Sequence, residues 1–250
     1  MFVKKSNLPE NTKIVLLGEK YCDELKNPLE NLGVNVLPVP DNPFVDPRLS
    51  SHADLSVFHA GDNHIFLAEY LKKSELYDNL RRLGFEVTVP EVKWGACYPD
   101  DCSFNLFFNG DYVICNKDTA NESILRHLGS SPKLVFCKQG YCKCLICAVD
   151  DNAIITSDHG IAERARDNGL EVLEIEPGFI DLDGFNYGFI GGASVKLSKD
   201  VIAFTGHFDD HPEKDLIIEF LRRRGVEAVF LTERRLFDVG SILPITEKQR

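Results

Sequence analysis

The feature that most constrains this chain is a unit that repeats five times along it. Each unit is a pair of short apolar runs, an amphipathic segment ending in glycine, and a further apolar run. Four units are complete. The second reads DLSVFHAGDNHIFLA, a helix to Gly84, then FEVTVPEV. The third reads FNLFFNGDYVICN, a helix to Gly129, then PKLVFC. The fourth reads CLICAVDDNAIITSD, a helix to Gly169, then LEVLEIEP, and the fifth GFIGGASVKLSKDVIAFTG, a helix to Gly225, then VEAVFLT. The first holds only KIVLLGE, a helix to Gly33 and VNVLPVP, so the C-terminal SILPI is expected to supply its missing strand. A repeat of 40 to 56 residues between helix-ending glycines marks one domain of stacked units rather than separate domains. The expectation is an α/β fold: a five-fold pseudosymmetric propeller of ββαβ units over residues 1–250, closed by its last strand around a central channel.

Local chemistry supports each unit. Asn109-Gly110-Asp111 is a hairpin signal between two apolar runs. Asp150-Asp151-Asn152, Ser198-Lys199-Asp200 and Gly61-Asp62-Asn63 turn the others. Ile124, Leu125 and Leu128 give one helix its apolar stripe, and Leu216, Ile217, Phe220 and Leu221 another. Thr119 or Asn121 caps the third helix and Ser157 or Asp158 the fourth. Pro212 fits the first turn of the fifth. The closing glycines suit left-handed C-caps. The alternative is one parallel sheet of βαβ units. Strands paired ahead of each helix favour the ring.

Net charge is −11, which disfavours nucleic acid and anionic membranes as partners, since both need clustered Lys and Arg. The basic run Arg222 to Arg224 ends a helix, where cations suit the macrodipole. No apolar run approaches the ~18 residues of a membrane span. MFVKKSNLPENTK lacks the apolar stretch of a secretory signal. The expected location is the cytoplasm, where the eight cysteines are thiols.

The repeat pattern resembles the pentein, or guanidino-group-modifying, superfamily. That superfamily includes arginine and agmatine deiminases, dimethylarginine dimethylaminohydrolase, and a ribosome anti-association factor that is not an enzyme. YGFIGGAS, the QGY segment and DVGSILP are more specifically similar to an uncharacterised bacterial family of this fold. SHADLSVFHAGDNHIF resembles the His-x-Asp strand of the deiminases. The resemblance implies that His52 moves protons and that Asp54 holds guanidinium nitrogens. On a strand, residues two apart share a face, so both would look into one channel. The structural alternative is a loop closure with Asp54 accepting backbone N–H groups.

The same resemblance calls for a cysteine nucleophile in the C-terminal Gly-rich strand. Here that stretch, DVGSILP, offers Gly240 and Ser241. Serine stays protonated without a strong base. If the ring is used in another register, Cys97, Cys102 or Cys144 is the candidate nucleophile, each otherwise a small buried apolar residue. The enzyme reading requires a cysteine sulfur within about 4–6 Å of the His52 ring.

Further binding candidates are Ser241, Lys138, placed to meet a substrate carboxylate, and Asn186, Tyr187 and Ser194, polar groups beside Gly188, Gly191 and Gly192 at the channel rim. Cys137, Cys142, Cys144 and Cys147 have spacings compatible with zinc, but they run into a strand with Cys142 and Cys144 on one face and Cys147 on the other. His207 to His211 (HFDDH) reads first as a helix start. Neither metal nor cofactor is expected. The sequence therefore points to a protein that binds a small guanidino or amino-acid-like compound and, as an enzyme, would hydrolyse a C–N bond of a linear amidine. The alternative is a non-catalytic pentein binding a metabolite or protein. A ribosome-binding role is disfavoured by the acidic balance.

Overall fold

The computed structural model describes residues 1–249. The first unit holds β1 (Thr12–Gly18), α1 (Cys22–Asn31) and β2 (Asn35–Val39). The second holds β3 (Val57–His59), β4 (His64–Leu67), α2 (Glu75–Arg82) and β5 (Glu86–Thr88). The third holds β6 (Phe107–Phe108), β7 (Tyr112–Cys115), α3 (Glu122–Leu128) and β8 (Lys133–Phe136). A single turn, α4 (Cys142–Leu145), leads into β9 (Ile146–Asp150), β10 (Ala153–Thr156), α5 (His159–Asp167) and β11 (Glu171–Glu174). The fifth unit is β12 (Ser194–Ser198), β13 (Val201–Phe204), α6 (Lys214–Arg223) and β14 (Glu227–Phe230), and β15 (Leu243–Glu247) follows.

These strands make five three-stranded sheets, one per unit. In the four continuous units the middle strand pairs antiparallel with the first and parallel with the last. The fifth sheet is β15-β1-β2, with Leu16 opposite Leu243 and Val15 opposite Pro244. The C-terminal strand thus occupies the inner place of the first unit, as the repeat predicts. The result is a five-fold α/β propeller.

Burial separates inside from outside. The first strand of each unit is buried along nearly its whole length, whereas β5, β8, β11 and β14 begin on exposed Glu86, Lys133, Glu171 and Glu227. Charges on an exposed outer strand discourage pairing with another sheet edge. β12 lies against both β9 and β15, so the inner strands meet around the axis. Apolar side chains fill the space between sheets and helices: Ile155, Phe204, Ile217 and Phe220 belong to one such cluster.

The helices are bounded by the expected chemistry. Asn121 accepts from Ser123 N at 2.9 Å and Asp158 from Ile161 N at 2.7 Å. All five closing glycines have positive φ, a conformation that costs glycine little. Three local expectations are corrected. Pro212 lies ahead of α6 rather than in its first turn. Leu216 faces solvent, outside the stripe made by Ile217, Phe220 and Leu221. Cys142 and Cys144 sit in the helical turn α4, not on a strand, so strand alternation does not set their directions.

Candidate functional site

The loops that enter the inner strands carry the site. Asn105, Cys144, Gly192 and Ser241 each lie two residues ahead of β6, β9, β12 and β15, and Asp54 lies three ahead of β3. Asp54, Cys144, Gly192 and Ser241 touch in a closed circuit, and Asn105 joins it at Cys144. Cys144 Sγ donates to Asp54 Oδ2 at 2.9 Å, and Asn105 Nδ2 donates to Cys144 Sγ at 3.3 Å. Gly192 N donates to Cys144 O at 2.8 Å, and Ser241 N to Gly192 O at 3.2 Å. The Ser241 hydroxyl closes the circuit by donating to Asp54 Oδ2.

His52 and Asp54 come together for a reason other than strand alternation. His52 is an extended residue ahead of a 3-10 turn, Ala53–Leu55, that contains Asp54. Asp54 N donates to Gly240 O at 3.1 Å, tying this turn to the C-terminal stretch. His-x-Asp does close a loop, but the Asp54 carboxylate accepts from the side chains of Cys144 and Ser241 instead of from backbone N–H groups, and both side chains join the site. One ligand atom each of His52, Asp54 and Cys144 lies within 4.8 Å of the others, which meets the distance required of a nucleophile and its base. That donor set also suits a borderline-soft cation such as Zn²⁺.

Two charged residues not singled out in the sequence complete the centre. Lys143 is buried and donates to Ser241 Oγ at 3.1 Å and to Gly191 O at 3.3 Å. Burial lowers its pKa, against Asp54, which raises it. Asp238 accepts from Gly240 N and Phe189 N, both at 2.8 Å. Burial raises its pKa, against a nearby His52 that lowers it. Burial also pushes the Cys144 thiol well up, and the Asp54 and Asp238 charges add to this. The resting sulfur is a neutral thiol. Close packing makes the arrangement possible: a Cβ on Gly240 would overlap His52, and one on Gly192 would overlap Asp238. The glycines of NYGFIGGAS thus serve approach of neighbouring protein groups.

A cavity of about 110 Å³ opens onto this centre. His52, Cys144 and Asp238 form its polar end, and Tyr141, Phe185, Tyr187 and Phe189 its aromatic walls. His52 Nε2 and Asp54 Oδ1 are buried without a hydrogen-bond partner among the described residues. A wider groove shares Tyr141 and Phe189 with the cavity and reaches Lys138.

The remaining candidates are distributed. Lys138 is exposed in that groove, and Asn186 is exposed between two aromatic residues of the cavity wall. Ser194 is not at the rim: it is buried beyond Lys143, in a small void shared with Asn7 and Lys196. Ser241 is fully buried with φ +72, a strained conformation for a residue with a Cβ. Cys97 is exposed, and Cys102 is buried with its thiol donating to Pro99 O. Neither belongs to the His52 group. Among the described residues Cys137, Cys142, Cys144 and Cys147 form no common ligand set, nor do the residues of HFDDH. Lys143 and Asp238 escaped notice because a buried charge leaves no local pattern. Their signal was adjacency to Cys144 and Gly240.

The fold has known counterparts. SxtG, an amidinotransferase from Microseira wollei in the saxitoxin pathway, superposes with a TM-score of 0.65 at 11% identity, over 100% of this chain and 98% of that one. Agmatine deiminase of C. jejuni, with substrate bound, gives 0.56 at 10% identity, over 99% and 97%. A dimethylarginine dimethylaminohydrolase from Pseudomonas aeruginosa, complexed with citrulline, gives 0.54 at 12% identity, over 88% and 92%. The architecture is that of the pentein superfamily. No curated protein matches by sequence. The model of a family of unknown function, DUF6873, matches residues 16–243.

Proposed function

Because the chain belongs to DUF6873, whose function is unknown, its activity has to be read from the site itself, and we propose that it binds a small guanidino compound with its cationic head against Asp54, Asp238 and His52. The observation that carries this is the meeting of His52, Asp54 and Cys144 within 4.8 Å, with His52 and Cys144 lining the end of an aromatic-walled cavity and Asp54 behind them. Asp54 and Asp238 are both buried carboxylates, and a planar cation reaching them is paired by charge and by hydrogen bonds. Such a cation can donate to the unpartnered Asp54 Oδ1 and lie against aromatic faces. A carboxylate at the other end of the ligand would meet Lys138 in the adjoining groove. The solved counterparts named as amidinotransferase, deiminase and dimethylaminohydrolase support the same ligand class.

The chemistry that fits is hydrolysis of a C–N bond. A bound guanidinium offsets the two carboxylates that hold the Cys144 thiol protonated, and Asp54 can take the proton across their hydrogen bond. The thiolate attacks the guanidinium carbon, and His52 protonates the departing amine. A water, its proton taken by His52, then cleaves the amidino-thioether and returns the thiol.

The test is labelling of the native protein with chloroacetamidine, mapped by peptide. Alkylation concentrated at Cys144, slowed by free guanidinium and abolished in Asp54→Ala, is expected. Labelling that follows exposure, with Cys97 first, would overturn the reading. A second reading, binding without turnover, is favoured by one observation: Ser241 occupies the C-terminal seat and its hydroxyl is committed to Asp54. It predicts guanidinium binding by calorimetry with no covalent Cys144 adduct.

A further inference from the structure

Cys137 and Cys142 face each other with their sulfurs 3.4 Å apart, at the two ends of the loop that leads into α4. Cys137 follows β8 and is half-buried, and its backbone N–H is anchored to Cys115 O at 3.0 Å. Cys142 is fully buried and is the first residue of α4. Both thiols point at the same carbonyl, Gln139 O, at 3.4 and 3.1 Å. The Gln139 side chain in turn accepts from Gly140 N and Tyr141 N, so the loop holds the two sulfurs on one side.

We propose that Cys137 and Cys142 form a reversible disulfide in response to hydrogen peroxide, and that closing it displaces α4 and loosens the contact of Cys144 with Asp54. The roles within the pair follow from their surroundings. The hydrogen bond from Cys142 lowers the Cys137 pKa, which favours thiolate at the more accessible sulfur. Cys142 is fully buried behind it, so its sulfur meets the oxidised Cys137 and not the peroxide. A low-pKa, accessible sulfur beside a resolving cysteine is the usual arrangement of a peroxide sensor. The Cys137 thiolate attacks the peroxide: an S–O bond forms, the O–O bond breaks, and water leaves after protonation. The Cys142 sulfur then attacks the Cys137 sulfenic acid: the S–S bond forms, the S–O bond breaks, and a second water leaves. Two thiols lose two electrons in all and the peroxide gains them.

The coupling to the centre is short. The sulfurs must close by about 1.4 Å to reach disulfide length. Cys142 is two residues from Cys144, and the N–H groups of Lys143 and Cys144 both rest on Asn105 Oδ1 at 2.8 and 3.1 Å. Tyr141, inside the loop, forms part of the cavity wall. A pull on Cys142 is therefore delivered to the cavity and to the ring together. This inference does not depend on what the cavity binds.

The full-length protein is treated with hydrogen peroxide at low molar excess, quenched with an alkylating agent and digested with trypsin. The expected product links Leu134–Lys138 to Gln139–Lys143, about 2 Da lighter than the two free peptides together. It appears before any change at exposed Cys97, reverses with dithiothreitol, and is absent in Cys137→Ser and Cys142→Ser. Amide exchange at residues 143–147 is expected to rise in the oxidised wild type and stay unchanged in peroxide-treated Cys142→Ser. Prior oxidation of Cys97, sulfinic acid at Cys137 without the link, or a link that leaves exchange at 143–147 unaltered would each overturn the proposal.

Discussion

Cys144 hands its thiol hydrogen to Asp54 across 90 residues of sequence, with sulfur and oxygen 2.9 Å apart. The same carboxylate oxygen also accepts from Ser241. Asp54 is thus the hub of the circuit: after burial, its charge adds most to holding the sulfur as a thiol, and it receives a bound cation. Asp54→Asn keeps the shape and removes the charge. Removing one partner of a buried charged pair costs ~2–5 kcal/mol, or roughly 30- to several-thousand-fold in affinity. Calorimetry with methylguanidine should show a loss of that size, whereas Cys144→Ala should leave binding within a few-fold.

Ser241 tests the ring from its strained side. Ser241→Ala leaves Lys143 Nζ and Asp54 each short of a partner while keeping the Cβ at φ +72. An orphaned buried polar group costs ~1–3 kcal/mol. Ser241→Gly loses the same hydrogen bonds but relieves the backbone by ~1 kcal/mol. Chemical denaturation should rank wild type above the glycine variant, and that above the alanine variant. The reverse order of the two variants would mean that the backbone carries no strain.

Gly240 is the place where a single methyl group should do most damage. The added Cβ would overlap His52, and the site has φ +66. Overpacking costs ~1–3 kcal/mol, so Gly240→Ala should fold less stably and lose the Cys144-directed amidine labelling. A variant that labels at the wild-type rate would show that His52 can move aside without consequence.

How much of this was legible beforehand differs between scaffold and centre. Each ββαβ unit is written locally, in hairpin turns such as Asn109-Gly110 and in helix-ending glycines, so the propeller and its closure by SILPI could be read. The centre is assembled from five loops that are distant in sequence. His52 and Asp54 drew attention through a motif, although a 3-10 turn, not a strand, directs them. Cys144 was one of three cysteines that the chain alone could not rank. Asp238, Lys143 and Asn105 belong to no motif, because hydrophobic periodicity reports what is buried among apolar neighbours and is silent on buried polar and charged groups. The residue two ahead of each inner strand is the rule that would have found Asn105, Cys144 and Ser241 together.

Lys138 offers a test of ligand orientation. It is exposed, so its contribution is small, ~0.2–1 kcal/mol for a solvent-facing pair. Lys138→Ala should weaken binding of a guanidino acid such as arginine about two- to five-fold and leave methylguanidine unaffected. Equal effects on both ligands would place the carboxylate elsewhere.

Lys196 makes a prediction about alkaline pH. It is buried with no partner for Nζ, and burial lowers its pKa to about 8 from the ordinary 10.5. Between these values the unfolded chain binds more protons than the folded one, so this group makes the fold gain stability as pH rises. Measured by urea denaturation, the stability of wild type relative to Lys196→Met should increase from pH 8 to 10.5. A constant difference would mean that Lys196 keeps its proton in the fold.

The equivalence of the five ring positions has a consequence for descent. Asn105, Cys144, Gly192 and Ser241 are the same structural address written four times, with Asp54 one residue further from its strand, each held at the mouth of an inner strand. A side chain that gains a role at one address keeps its distance to the centre if it reappears at another. Chemistry in such a scaffold can migrate around the axis by a few point changes, with the blades left untouched. Aligning relatives column by column will then miss a side chain that has moved to another blade, and rotating the comparison in steps of a fifth of a turn, two of which carry Ser241 onto Cys144, will find it.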